Sequence, residues 1–229
     1  MDIVFLGAAN PETGRMIRAV QRVQPNFNVL GFIDNDPNKK NTTFLEYPVF
    51  GGFEALDAVI QMGEDVRFVN LITGSTKVRY ETSLYMAQKG CQFANFIHPS
   101  VDLTMSKIGV GNYIQESVII QASAQIGNNS SIHIGALIAH EATIGDSVFI
   151  AHASSISGSV QVGDGVFVGT NATVIPRLRI GKWATIGAGS VVIKDVPDYA
   201  TVVGNPARVI KKEEAMDYVD GDIFKRVGS

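Results

Sequence analysis

The sequence predicts two folded units in series, a small parallel α/β sheet with crossover helices followed by a parallel β-helix. Three observations carry this. Up to about residue 97, short apolar runs alternate with helix-like segments, as strands joined by helices do. From Ile108 to Val192 every sixth residue is Ile or Val, at fifteen positions without exception. A period of eighteen lies on top, because Gly109, Gly127, Gly145, Gly163 and Gly181 each follow the aliphatic residue. The 229 residues, 45% of them hydrophobic, suffice for one domain plus a smaller one and exclude disorder as a general description.

Residues 3–6 read as the first strand, a continuous apolar run of the kind buried on both faces. Residues 14–23 read as a helix, and 29–33 as a second strand ending at Asp34. Next come helical 52–61, strand 67–72, helical 77–89 and a last strand, 93–97. Residues 1–97 are thus expected to form a Rossmann-like domain. Its first turn, from Gly7 to Gly14, leads into a helix whose free N–H groups can receive phosphates. Asp34 stands where an acidic residue commonly meets a ribose or base. The turn lacks a strict G-x-G-x-x-G, so alone it is a weak signal. The Gly74-Ser75 turn closes a third strand end.

Three hexads per eighteen residues describe a triangular prism of short parallel strands, the aliphatic residue pointing inward on each side. Residues 108–197 then make five coils, inside a domain spanning 98–212, with 213–229 as a C-terminal tail. From Lys211 on the chain is polar and ends in a short helix by its pattern. A core of stacked Ile and Val has no room for an imidazole, so His133, His140 and His152 are expected to point outward or lie at corners. Eighteen residues after His140 stands Gly158, one coil above. A histidine beneath a glycine leaves space for a thioester, with an exposed N–H to hold its carbonyl oxygen. The alternative is that His140 is a plain surface corner.

Composition excludes several classes of function. Nineteen basic and 22 acidic residues give a net charge of −3, shared evenly between the halves, so neither half is a nucleic-acid platform. The apolar run 3–9 is too short to span a bilayer and lacks a basic lead-in, which argues against a signal peptide or membrane helix. Cys91 is the one cysteine, so neither an internal disulfide nor a thiolate metal cluster is available. The expectation is a soluble cytoplasmic protein.

Four segments resemble the bacterial sugar-nucleotide N-acetyltransferases, hexapeptide-repeat acyltransferases acting on nucleotide-linked 4-amino sugars and related to the sialic-acid O-acetyltransferases. His140-Glu141-Ala142-Thr143-Ile144-Gly145-Asp146 is similar to that family's H-[DE]-x-x-I-G-[DE]. Gly31-Phe32-Ile33-Asp34-Asn35-Asp36 is similar to its G-F-[IL]-D-D-D, and Ile97-His98-Pro99-Ser100 to the I-H-P-S leading into its prism. Val203-Gly204-Asn205-Pro206-Ala207-Arg208 resembles its closing motif.

The resemblance implies a left-handed β-helix, although parallel crossovers are otherwise right-handed. It implies acetyl transfer from acetyl-CoA, without a metal, to the amine of a nucleotide-linked amino sugar. His140 would be the general base, Glu141 would orient it, and Gly158 would face the thioester oxygen. CoA would lie between two prisms of a homotrimer, with Asn205, Arg208 and Lys211 meeting it. Gly7, Asp34, Asp36, Gly74 and His133 would serve the sugar nucleotide. Two departures stand out. The family's G-x-x-G-H-G turn is replaced by one containing Pro11 and Glu12, whose carboxylate would repel a diphosphate. His133 stands where Asn is frequent, and Phe149 where a second His or another residue occurs.

Three other readings remain open at this level. One is O-acetylation of a sialic-acid-like hydroxyl, and another a β-helix binding protein without catalysis. The third is a zinc hydratase, which needs three converging imidazoles. By coil position His133, His140 and His152 fall on different sides, so that convergence would need a neighbouring subunit. His98 is expected to fix the junction before the prism, His152 to be a solvated corner, and Trp183 to serve coil packing or a trimer contact. Arg177, Arg179 and Lys182 read as solvated charges.

Overall fold

In the computed structural model, which describes residues 1–213, the N-terminal unit is a four-stranded parallel sheet. Its strands β1 (Asp2–Leu6), β2 (Asn28–Ile33), β5 (Val66–Asn70) and β6 (Gln92–Phe93) lie in the order β2-β1-β5-β6. A small hairpin, β3 (Thr43–Phe44) with β4 (Tyr47–Pro48), follows β2. Alternation along β1 decides the layering. Ile3 and Phe5 pack on Met16, Ile17 and Val20 of α1 (Glu12–Val23). Val4 and Leu6 pack on the opposite layer, α2 (Leu56–Ile60) and α3 (Thr76–Gln88). The helix expected over 52–61 opens instead as a 3₁₀ turn, Phe53–Ala55, before the short α2.

The strand expected over 93–97 is two strands in two sheets. It breaks at Ala94-Asn95, so that β6 closes the first sheet while β7 (Phe96–Ile97) pairs with the prism. The prism proper has fifteen two-residue strands, β8 (Lys107–Ile108) to β22 (Val191–Val192), each ending on the periodic aliphatic residue. They form the three faces of a left-handed solenoid. A second small inward residue four positions on, such as Ala124, Ala136, Ala142, Ala172 or Ala184, completes the dry core.

Every sixth residue from Met105 to Gly189 has positive φ, which turns each corner. Eleven of these fifteen are not glycine, a conformation that is uncommon for such residues and held here by the coils above and below. The solenoid extends beyond the five coils of 108–197. One face has eight strands, with β7 at its base and the hairpin β23 (Ala200–Gly204) and β24 (Ala207–Lys212) at its top. Lys211 and Lys212 therefore end a strand rather than begin a polar tail, and the helix expected beyond them lies outside the described residues.

The two units share one core. Phe96 of β7 stacks on Phe27 and Tyr113, with ring centroids 5.6 Å apart in both pairs, and meets Phe5 at 5.0 Å. Burying each such ring contributes ~1.5–3 kcal/mol. Trp183, expected on the prism surface, is an interdomain contact, edge-on to Tyr80 of α3 at 5.5 Å.

Candidate active site

His140 lies at the corner between β13 (Leu137–Ile138) and β14 (Thr143–Ile144), which belong to different faces. Its N–H donates to Gln121 Oε1 at 3.0 Å, fixing the backbone. Glu141 is one of the positive-φ corner residues (φ 59°), so consecutive side chains lie beside one another instead of on opposite sides of a strand. Glu141 Oε2 is 3.5 Å from His140 Nδ1 and accepts a hydrogen bond from Ser159 Oγ at 2.9 Å. Both side chains are open to solvent, at 63% and 64% exposure.

One coil above, Gly158 lies directly over the imidazole. A Cβ built on Gly158 would come within 2.7 Å of both Cε1 and Nε2 of His140. Gln121 caps the His140 N–H, but the corresponding residue one coil up is Ala139, which has no side-chain acceptor. Among the described residues the Gly158 N–H has no hydrogen-bond partner. The corner thus offers a basic nitrogen, a carboxylate behind it and an unused donor one rung away.

A second site opens at the carboxyl ends of β1, β2 and β5. A cleft of about 270 Å³ is lined by Gly7, Asp34, Asn35, Phe53 and Ile72 among others. Asp34 Oδ2 accepts from Ala8 N at 2.8 Å and Lys39 Nζ at 2.7 Å, and Oδ1 accepts from Asp36 N at 2.9 Å. Burial pushes its pKa up, but the Lys39 ammonium and the two amides outweigh burial and hold it below the ordinary value. Asp36 does not line the cleft. It caps the 3₁₀ turn Pro37–Lys39 through Asn38 N at 3.0 Å. Gly74 lies exposed in the loop before α3, outside the cleft lining. Glu12 does not project as a bare charge, since Arg15 bridges it at 3.2 Å and also pairs with Glu116 of the prism.

His133 points away from the aliphatic core as expected, yet it is buried, at 4% exposure, rather than set on an open corner. Its ring lies 4.6 Å from Phe149, 5.8 Å from Tyr113 and 5.0 Å from His152. Nε2 is 3.0 Å from Ser131 Oγ, and Nδ1 has no partner among the described residues. Burial, reinforced by His152 and Arg79, pushes its pKa down to about 3. His133 and His152 thus meet on neighbouring coils, contrary to their expected separation. No group of three metal-ligating side chains occurs among the described residues. Asn205, Arg208 and Lys211 sit on the closing hairpin, where Arg208 is exposed and Lys211 pairs with Glu213 at 2.7 Å.

Sequence reasoning missed Phe53 and Ile72 in the cleft, Lys39 paired with Asp34, and Ser159 and Gln121 beside the histidine. Ser159 could have been found, because it stands eighteen residues after Glu141 and hence one coil above it.

A family model described as bacterial transferase hexapeptide (six repeats) matches residues 159–194. A histidine variant of the perosamine N-acetyltransferase from Caulobacter crescentus, solved with CoA and GDP-perosamine, is 28% identical with a TM-score of 0.83. That match covers 93% of this chain and 98% of the other. WeeI from Acinetobacter baumannii AYE is 26% identical over 92% of this chain and 100% of its own, with a TM-score of 0.79. In sequence and fold over nearly its whole length the chain resembles these sugar-nucleotide N-acetyltransferases. The acetyltransferase domain of PglB from Neisseria gonorrhoeae FA1090 shares the fold, at 23% identity over 91% of this chain and 98% of the other, with a TM-score of 0.77. A comparison with curated protein sequences finds no match. The chain is accordingly an acyltransferase, and no helix among its described residues is long and apolar enough to cross a membrane.

Proposed function

We propose that this acyltransferase moves the acetyl group of acetyl-CoA to the amine of a nucleotide-linked amino sugar, with His140 as general base. The observation that carries the reading is the bare Gly158 backbone over His140 Nε2, a gap that a single methyl group would close. The solved relatives from Caulobacter crescentus, described with CoA and GDP-perosamine, supply the substrate class.

The carboxylate of Glu141 facing Nδ1 favours the tautomer with its proton there, leaving the Nε2 lone pair toward the gap. The sugar amine attacks the thioester carbonyl carbon as Nε2 takes its proton, and the resulting oxyanion receives the Gly158 N–H. The carbon–sulfur bond then breaks, and the imidazolium returns the proton to the departing thiolate. Amide and free CoA are the products. Gly7, Asp34 and the cleft around them serve the nucleotide. His133, Asp36 and Gly74 are assigned to the same substrate.

Arg208, with Asn205 and Lys211 on the closing hairpin, meets the CoA phosphates. The hairpin lies about three strand spacings, ~14 Å, above the coil of Gly158, a distance an extended pantetheine arm spans. The open corner at His140 is completed by a neighbouring prism in a homotrimer. Thiol release from acetyl-CoA with a panel of nucleotide-linked amino sugars and sialic-acid-type sugars tests the reading. Turnover with an amino sugar is expected, and turnover only with hydroxyl acceptors would replace it with O-acetylation.

A further inference from the structure

We propose that Arg79 is a positioning residue, a clamp that holds the floor of the nucleotide cleft in register with the coil carrying His140. This rests on reading the cleft as the sugar-nucleotide site. Arg79, on the first turn of α3, is fully buried, and among the described residues no carboxylate pairs with it. Its guanidinium is spent on four backbone carbonyls. Nη1 donates to Asn70 O at 2.8 Å and Ile72 O at 3.0 Å, at the end of β5 and in the loop beyond it. Nε donates to Asn129 O at 2.6 Å and Nη2 to Ser130 O at 3.4 Å, both on a corner of the prism. Ile72 lines the cleft, and Ser130 precedes His140 on the same coil by ten residues.

A chain of side chains runs parallel to the clamp. Asn70 Oδ1 accepts from Ile72 N at 2.9 Å, and Asn70 Nδ2 donates to Ser83 Oγ at 2.8 Å. Ser83 Oγ donates to Asn129 Oδ1 at 2.8 Å, and Asn129 Nδ2 to Ser147 Oγ at 2.9 Å. Both routes tie the same cleft loop to the same prism corner.

Stability alone does not call for this arrangement. A buried guanidinium without a counter-ion is costly, and apolar residues of similar volume pack such interfaces as well or better. The interface already has the Tyr80–Trp183 contact and the Phe96 stack. What a planar fork adds over an apolar side chain is fixed geometry, four acceptors held at set directions. Burial draws the Arg79 pKa down to about 9, so the group remains charged at neutral pH. Acetyl transfer needs the amine delivered from one domain to a base on the other, and a misplacement of ~1 Å is enough to cost ~10²-fold.

The test is steady-state kinetics of Arg79→Lys and Arg79→Met with both substrates varied. Each variant is expected to raise KM for the sugar nucleotide or lower kcat/KM for it by ~10-fold or more, with KM for acetyl-CoA unchanged. Lysine keeps the charge but cannot span four carbonyls, so it should not rescue. Wild-type kinetics in Arg79→Lys, or equal losses for both substrates, would overturn the clamp. If neither variant folds, Ser83→Ala removes the hydroxyl between Asn70 and Asn129. It should shift the same parameter alone, and no shift rejects the proposal. Asp34→Ala is measured alongside. If it weakens the sugar nucleotide while Arg79→Lys does not, the clamp alone is wrong. If it has no effect, the cleft reading fails and the clamp falls with it.

Discussion

Replacing Gly158 with alanine perturbs the site by one methyl group, and the structure says where it goes. The new Cβ would lie 2.7 Å from His140 Cε1 and Nε2 and 3.3 Å from Cδ2, against an ordinary contact of about 3.4–4 Å. The ring must therefore move by roughly 0.7 Å or more, or swing out altogether. Gly158 is absent from the positive-φ residues, so alanine meets no backbone strain there. The imidazole is exposed enough to yield, which keeps the cost to the fold within ~0.5 kcal/mol. The cost to chemistry is larger, because the methyl group fills the space assigned to the thioester and displaces the base together. A fall in kcat/KM of ~10²–10³-fold is expected, with an unchanged melting temperature. The double variant Gly158→Ala/His140→Ala should be no worse than His140→Ala alone, since both act on one step. Acetyl-CoA turnover of Gly158→Ala within threefold of wild type would refute the placement of the thioester over His140.

His140→Ala should lower kcat by ~10²–10⁴-fold at unchanged stability, and Glu141→Gln by less, because the carboxylate only orients the ring. Wild-type turnover by His140→Ala on the true acceptor would reject the assignment. The His133 imidazole has a folded value of about 3 against an ordinary 6.5, so the unfolded chain takes up the proton first. Its contribution is whole above about pH 6.5 and declines as the pH falls toward 3, by about 2 kcal/mol at pH 5. Urea midpoints at pH 7 and 5 should therefore separate wild type from His133→Phe, and parallel shifts in the two would contradict the burial. Light scattering should give three times the 24.6 kDa chain mass, whereas a monomer at working concentration rejects the shared site.

The prism was legible to the residue because its physics is one-dimensional. Each inward Ile or Val has its counterparts directly one coil above and below, so a period in the chain is a neighbour in space. That is why Gly158 could be placed over His140 by adding eighteen, and why Ser159 over Glu141 was there to be read the same way. Errors arose where contact between the two units, and not the period, decides the outcome. The run 93–97 has strand composition throughout, and only the docking of one unit on the other splits it into β6 and β7. His133 was expected to be open because nothing in the sequence says that Tyr113 and Phe149 close around it.

The contrast between His140 and His133 separates what a repeat encodes from what tertiary contact decides. His133 stands one position after the inward Ile132 and His140 two after Ile138, and from the period both are expected to point outward or lie at corners. His140 falls on the corner joining the two five-stranded faces, opposite the eight-stranded face that takes up β7, and it keeps its solvent exposure. His133 follows the face that bears Phe96 and Tyr113, where the aromatic layer between the units desolvates it. The imidazole at the first position stays open to solvent, whereas burial holds the one at the second neutral far into acid. Replacing Phe149 with a small polar residue such as serine should hydrate His133 and raise its NMR titration midpoint by more than one unit. An unmoved His133 midpoint in that variant would mean that the aromatic layer is not what holds it neutral.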